Sequence, residues 1–167
     1  VIYAGQGVHY AQAWPELKEL AETWNIPVTT SIEGKSAFPE NHPLSLGSGG
    51  RSLPRNVHEF LRDSDVILGI GCSFALTAFG VQMPKGKTII HATLDPMDLN
   101  KDVPVQHALV GDAKLTLQGL IAEMDQLPKT TAEARKEHIP ARIKETKAAW
   151  LAEWMPKLTN NEAPISP

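Results

Sequence analysis

Polar side chains that could bind a ligand recur where the predicted strands of this sequence end. Ser73, Thr77, Thr93, Asp95 and Asp112 each lie at or just after such a strand end. Open α/β sheets bind ligands at the carboxyl ends of their parallel strands, so these hydroxyl and carboxylate groups would meet at one edge. Turn and helix-cap chemistry explains the same residue types equally well, so both interpretations stay open.

Gly5-x-Gly7 follows the first apolar run and is a second candidate for ligand contact. Two glycines in a strand-to-helix turn let backbone N–H groups approach a pyrophosphate. The dinucleotide fingerprint has a third glycine, whereas Tyr10 stands at that position. A tight turn needs small residues even without a ligand. A stand-alone NAD-binding domain is therefore one alternative interpretation.

Other motifs whose residues could take part in catalysis or binding give weaker signals. Gly34-Lys35-Ser36 resembles the end of a phosphate-binding loop, but Thr29 stands where that loop needs a glycine, which excludes a nucleoside triphosphatase. Cys72 is the only cysteine and has no His or acid near it in sequence, so a buried structural role is expected. The six histidines lack the close spacing of metal ligands. The sequence thus predicts neither a catalytic residue nor a metal site.

Composition limits the partners. Sixteen Lys and Arg are scattered among nineteen Asp and Glu, with a net charge of −3, so no basic stripe is offered to nucleic acid or anionic lipid. The 167 residues are 42% hydrophobic, enough for one domain with a sizeable core, and their apolar runs are too short for a membrane span. One cysteine is compatible with the reducing cytoplasm. We expect a soluble, cytoplasmic domain, cut from a longer chain because it opens on a strand without an initiator Met.

Strand and helix patterns alternate along the chain and would position the polar residues. Apolar or β-branched runs predict strands at residues 1–4, 27–31, 44–47, 65–71, 88–94 and 107–110. Helical spacing predicts helices over residues 11–24, 54–62 and 113–126, the last capped by Asp112. Such alternation requires right-handed crossovers and a parallel sheet covered on both faces, which is a Rossmann-like, three-layer α/β fold.

Residues 128–167 show no strand pattern. A long helical stretch carries one apolar stripe of Ile143, Trp150, Leu151, Trp154 and Leu158, and a polar, Pro-containing linker follows it. The stripe could close over this domain or dock on a neighbour, which supports a further alternative, a ligand-free interaction module. The sequence therefore divides into a Rossmann-like domain at 1–127 and a helical segment with a linker at 128–167.

Four segments of the chain form a recognisable combination: residues 34–50 (GKSAFPENHPLSLGSGG), 63–71 (DSDVILGIG), 91–101 (HATLDPMDLNK) and Gly111-Asp112. Read together, they resemble the central domain of thiamine-diphosphate-dependent enzymes of the acetolactate synthase type. The loop with Pro39, His42-Pro43-Leu44 and Gly47, combined with the later Asp95-Pro96, is the specific part. The resemblance spans residues 1–127 and implies a six-stranded parallel sheet.

Enzymes of that family have three α/β domains, and the resemblance implies that this chain is the non-catalytic middle one. The other two domains, its implied partners, supply the Glu that activates the thiamine ring and the site for diphosphate and magnesium. Gly111-Asp112 is followed by Ala113, not by the glycine of the diphosphate motif, so thiamine diphosphate and Mg would bind in the full protein and not here. The resemblance further implies a homo-oligomer that acts on a 2-oxo acid or related carbonyl compound, with residues 164–167 at the start of the third domain.

In some members of the family the central domain holds FAD, and in others ADP. FAD-binding synthases carry an Arg at the position of Ser73, charged residues near Ala75 and Thr77, and an acid at Thr93, none of which is present here. These departures argue against FAD and leave an ADP-like or vacant site. By resemblance the cofactor-binding positions are Gly5, Gln6, Gly7, Ser31, Ile32, Leu46, Gly47, Gly71, Ser73, Thr93, Leu94, Gly111 and Asp112.

Overall fold

One six-stranded parallel sheet forms the centre of the molecule, in a computed structural model that describes residues 1–161. Its strands lie side by side in the order β3-β2-β1-β4-β5-β6. The chain steps outward from β1 on one side and then returns to β1 to build the other side from β4, so the topological switch point lies between β1 and β4. The predicted Rossmann-like α/β fold is confirmed. The strands are β1 (Ile2–Ala4), β2 (Val28–Thr30), β3 (Ser45–Ser48), β4 (Val66–Ile70), β5 (Thr88–Thr93) and β6 (His107–Val110).

Helices cover both faces of this sheet. Successive side chains of a strand point to opposite faces, and β1 shows the result: Ile2 and Ala4 enter one core cluster, whereas Tyr3 enters the other. The first cluster is closed by α2, α4 and α5, and the second by α3 and α6. The helices are α1 (Gly7–Tyr10), α2 (Trp14–Trp24), α3 (Arg55–Asp63), α4 (Ala113–Met124), α5 (Thr130–Arg135) and α6 (His138–Leu158), with a short 3₁₀ helix at Pro96–Asp98.

The first predicted helix is interrupted in the structure. A helix was expected from residue 11, but the chain makes the short α1, then a bend, and α2 begins only at Trp14. Gln12 has φ +51°, which ends a right-handed helix, and Pro15 in the first turn of α2 has no N–H to give to a preceding turn. The bend places α1 against the end of β4 and α2 against the sheet.

The segment after residue 127 packs partly on the sheet domain. Asn25 Nδ2 donates to the Ala132 carbonyl at 3.0 Å, and Arg142 of α6 pairs with Asp63 of α3 at 2.5 Å. Ile143 is 2% exposed, so the first half of α6 belongs to the helical layer. The second half leaves Leu151, Trp154, Met155 and Leu158 exposed, and we call these four residues the α6 stripe. The predicted domain boundary at 127 stays a prediction, and residues 164–167 lie outside the described residues.

No helix within residues 1–161 combines the length and the apolar character that crossing a membrane requires.

Candidate functional site

A cavity of about 580 Å³ opens at the carboxyl edge of the sheet, over the switch point, and we call it the sheet-edge cavity. The turns after β1, β2, β4, β5 and β6 form its walls, and the loop around residues 73–83 covers one side. Parallel sheets bind ligands at this position because the strand ends separate there. Its lining includes Tyr3, Gln6, Gly7, Ser31, Glu33, Gly71, Ser73, Phe74, Thr93, Leu94, Asp95, Asp98, Gly111 and Asp112.

Gly7 and Gly71 form the floor of this cavity, and Gly5 packs behind them, where the turn after β1 crosses the end of β4. A Cβ on Gly5 would lie 2.3 Å from the Gly71 carbonyl oxygen, and one on Gly7 would lie 2.7 Å from the Gly71 Cα. The Gly7 N–H donates to that carbonyl at 2.8 Å. Gly71 itself has φ +60°, a conformation that other residues rarely adopt. The glycines are therefore required by backbone packing, and the Gly7 N–H already has a protein acceptor.

An aromatic wall separates the cavity from the second core. The Phe74 ring stacks on Tyr3 with a 5.6 Å centroid distance and meets His91 edge to face at 4.8 Å. A Cβ on Gly69 would come within 2.3 Å of the Phe74 ring, so the glycine provides the space for the ring. His91 is fully buried, with Nε2 at 2.7 Å from the Cys72 carbonyl. Burial raises the pKa of Tyr3 well above its usual value, which leaves a neutral phenol at this wall.

Four carboxylates also line the cavity. Asp98 Oδ2 accepts from the Thr93 hydroxyl at 3.3 Å, and Asp95 accepts from the Met97 N–H at 2.9 Å in the 3₁₀ turn. Asp112 caps α4 by accepting from the N–H groups of the second and third residues after it, at 2.9 and 3.1 Å. Glu33 is the fourth acid in the lining. Within the described part of the chain, no Lys, Arg or His lines the cavity.

Nine of the thirteen predicted cofactor positions line the cavity. They are Gln6, Gly7, Ser31, Gly71, Ser73, Thr93, Leu94, Gly111 and Asp112. The other four lie elsewhere: Gly5 packs behind the floor, Ile32 is 49% exposed and covers Gly50, Leu46 is buried in the second core, and Gly47 turns the chain within β3 at φ +85°. The assignment of these residues to a cofactor stays a prediction.

Sequence reasoning did not single out Phe74 and Asp98. Phe74 reaches the cavity wall through φ +50°, which no sequence pattern indicated. Asp98 could have been found from the sequence. It lies three positions after Asp95 in a turn that begins with Pro96, and an acid at that position faces back toward the strand end.

Cys72 is buried, as predicted, and burial raises the pKa of its thiol to about 12. A thiol held neutral in this way is a poor nucleophile. Among the described residues there is no group of three or more His, Cys, Asp or Glu side chains that could hold a metal ion.

Comparisons with known proteins identify the family. The model of the thiamine pyrophosphate enzyme central domain matches residues 1–120. A probable acetolactate synthase large subunit from Methanococcus aeolicus is 34% identical over 171 residues, which cover 100% of this chain and 28% of that protein. A sulfoacetaldehyde acetyltransferase from Roseovarius nubinhibens is 33% identical over 92% of this chain and 26% of its own length.

A solved structure supports the same relationship. An X-ray structure described as a thiamin diphosphate-dependent enzyme from Mycobacterium smegmatis superposes with a TM-score of 0.59 at 28% identity, over 72% of this chain and 24% of that one. The chain thus spans about a quarter of the length of the proteins that it matches. Since the family model covers most of the sequence and the relatives align along nearly all of it, this chain belongs to the family of thiamine pyrophosphate enzyme central domains.

Proposed function

We propose that this chain is the non-catalytic middle domain of a thiamine-diphosphate-dependent enzyme that acts on a 2-oxo acid or related carbonyl compound. The observation that carries the proposal is the family match over residues 1–120. The described residues agree with a structural role, because the one thiol is buried and neutral and two of the acids at the sheet edge, Asp95 and Asp112, serve as helix caps. Relatives with the names of a synthase and an acetyltransferase support a carbonyl substrate without fixing which one.

Thiamine diphosphate and Mg would be held by the other two domains of the enzyme. Asp112, the residue that could be mistaken for the magnesium ligand of the family's diphosphate motif, uses its carboxylate to cap α4, which supports this division. Thiamine diphosphate supplies the carbanion chemistry when it is bound in the complete enzyme. The middle domain then positions the two cofactor-binding domains, within a cytoplasmic homo-oligomer.

The α6 stripe supports the partner part of the proposal. Leu151 and Leu158 are 43% and 60% exposed on a helix that buries Ile143 and Thr146 in its first half, and Trp150 stacks on Trp154 at 6.3 Å. A contiguous apolar strip of this kind marks a contact surface. We assign it to a neighbouring domain or a second copy of the protein. The interaction-module alternative thereby becomes one part of the same function.

A stand-alone NAD-binding domain receives less support from the site. Tyr10, at the position of the third fingerprint glycine, is 77% exposed, and the Gly7 N–H donates to the Gly71 carbonyl. The turn is therefore complete without a dinucleotide.

Calorimetry and an activity assay together test the proposed function. The 167-residue chain, titrated with thiamine diphosphate and Mg, should give no heat of binding, and it should not consume pyruvate or another 2-oxo acid. The natural protein that contains this chain should consume a 2-oxo acid only when both cofactors are present. Binding or turnover by the chain alone would contradict a non-catalytic middle domain, and so would a natural protein with no thiamine-diphosphate-dependent activity.

A further inference from the structure

The charges around the sheet-edge cavity disagree with the diphosphate that FAD and ADP share. Glu33, Asp95, Asp98 and Asp112 line the cavity, and within residues 1–161 no cationic side chain faces them. Diphosphates carry at least two negative charges, and proteins bind them with Arg, Lys or unpaired backbone N–H groups. Since the cavity supplies four acids and no cation, favourable contacts to a diphosphate would have to come from backbone N–H groups and neutral side chains alone.

Several backbone donors at the cavity already have acceptors within the protein. In the turn after β1, the N–H of Gly5 donates to the Ile70 carbonyl at 2.9 Å and the N–H of Gly7 donates to the Gly71 carbonyl at 2.8 Å. The N–H groups of Lys114 and Leu115, the second and third residues of α4, donate to the Asp112 carboxylate. That carboxylate also occupies the positive end of the α4 dipole, where a phosphate would otherwise be favoured. At both helix starts, protein acceptors therefore already take N–H groups that an anion would otherwise use.

Two lysines that follow lining residues along the chain make ion pairs outside the cavity. Lys114 follows the α4 cap, but its Nζ lies 3.5 Å from Glu16 of α2. Lys35, after β2, lies 3.7 Å from Glu40. Turning either side chain toward the cavity would give up its ion pair, so neither is positioned to compensate the four acids.

We infer that the sheet-edge cavity rejects diphosphate-bearing nucleotides, and that its excess of carboxylates is the cause. The inference concerns ligand selection only, so it does not depend on the proposed catalytic role of the complete enzyme. The sequence left an ADP-like site and a vacant site as alternatives. The cavity has Ser73 in place of the Arg of FAD-binding synthases and also an acidic lining, so on this inference it excludes ADP as well as FAD. A ligand of this cavity would be uncharged or cationic.

A charge-variant titration tests this inference. The variant carries Ser73→Arg, Glu33→Gln and Asp98→Asn, which add one cation and remove two acids from the cavity while Asp112 keeps its cap. The control carries Ser52→Arg, Glu19→Gln and Glu123→Gln, the same change in net charge at exposed positions that do not line the cavity. Both are titrated with ADP and with adenosine in the absence of Mg, after circular dichroism confirms that they are folded.

We expect the cavity variant to bind ADP at least about tenfold more tightly than the unmodified chain or the control, with adenosine affinity changed less than about threefold. A dissociation constant of about 10 µM or below for ADP and the unmodified chain would overturn the inference. A folded cavity variant that gains nothing for ADP would overturn it too, because charge would not be the cause. An equal gain for adenosine would point to shape instead of charge and would have the same consequence.

Discussion

Glycines at the switch point look like a ligand turn in the sequence and act as packing residues in the structure. Gly5, Gly7 and Gly71 allow two backbone segments to cross within hydrogen-bond distance. A methyl group at any of these three positions would lie under 3 Å from a backbone atom. The partial fingerprint is therefore explained by the fold, with no need for a bound nucleotide.

Gly71→Ala should lower the free energy of unfolding by about 2 kcal/mol or more, because it places a Cβ 2.8 Å from the Gly7 Cα at a φ of +60°. Urea unfolding followed by circular dichroism measures the change. Gly119→Ala is the matched control: its Cβ meets no atom within 4 Å, and in the interior of α4 alanine should raise stability by up to about 1 kcal/mol. Equal effects of the two substitutions would contradict the crossing as the cause.

The candidate site was predictable only where sequence position determines geometry. Thr93 and Asp112 stand at strand ends, and the parallel topology brings them to one edge, so spacing was enough to find them. Leu46 does not line the cavity, because the side chains of β3 alternate between faces and its own points into the second core. Phe74 depends on one positive φ angle, which results from packing over Gly69.

At the scale of elements, α6 has two different halves. Its first half is fixed to α3 by the Arg142–Asp63 pair and by the Arg142 guanidinium, which lies 4.5 Å from the Phe60 ring centroid. Its second half carries the α6 stripe, and Glu153 makes an exposed contact with Arg55 at 3.4 Å. The apolar periodicity read from the sequence was continuous, but only contacts in three dimensions show where its burial stops.

Asp63 should give α6 docking a pH dependence. Hydrogen bonds from Arg62 and then Arg142 lower the pKa of Asp63 from 3.8 to about 2. A carboxyl group whose pKa is lower in the folded chain than in the unfolded chain stabilises the fold at pH values above its unfolded pKa. This contribution is lost as the pH falls from about 4 to 2. Asp63→Asn should therefore cost less than about 1 kcal/mol at pH 7, since the pair is near the surface.

Urea midpoints of the Asp63→Asn variant and of the unmodified chain, measured between pH 7 and pH 2.5, check this expectation. The difference between the two proteins should shrink toward the acid end. Glu145→Gln, at an exposed α6 position, should show no such trend. A difference that stays constant across the range would show that the carboxylate charge of Asp63 is not responsible.

The α6 stripe should drive association. Leu151→Lys combined with Leu158→Lys places two charges on it, so we expect the unmodified chain to increase in mass with concentration and the double variant to remain monomeric. Sedimentation velocity at several concentrations measures this. Leu115→Lys, at a 68% exposed position on α4, is the control and should behave like the unmodified chain. Association that persists in the double variant would place the contact elsewhere.

At the scale of the whole molecule, alternation of strand and helix patterns was sufficient to predict the fold. All six strands were found, and β6 has its predicted bounds at His107–Val110. The break before Trp14 was missed because nothing in the sequence of residues 11–13 indicates the φ of +51° that Gln12 adopts. Strand order cannot be read from spacing at all, since it depends on which side each crossover takes.

Cys72 reports on opening of the whole domain. Burial raises the pKa of its thiol to about 12, so the folded chain should react with a disulfide reagent far more slowly than the chain in guanidinium chloride. The rate should rise as urea approaches the unfolding transition. Absorbance of the released thiolate follows the reaction. Complete labelling of the folded chain within seconds would show that the loop after β4 opens without unfolding of the domain.

The central position of β1 has a consequence for how the chain folds. β1 comes before the other strands in sequence, and its two neighbours in the sheet are β2 and β4. Ile2 of β1 lies opposite Val28 of β2 and opposite Leu68 of β4. Every pairing in the sheet is parallel and closes across a crossover, so no hairpin can form early as a local nucleus. Until β4 arrives, β1 exposes one unpaired edge, and a nascent chain paused between them would present that edge to other chains.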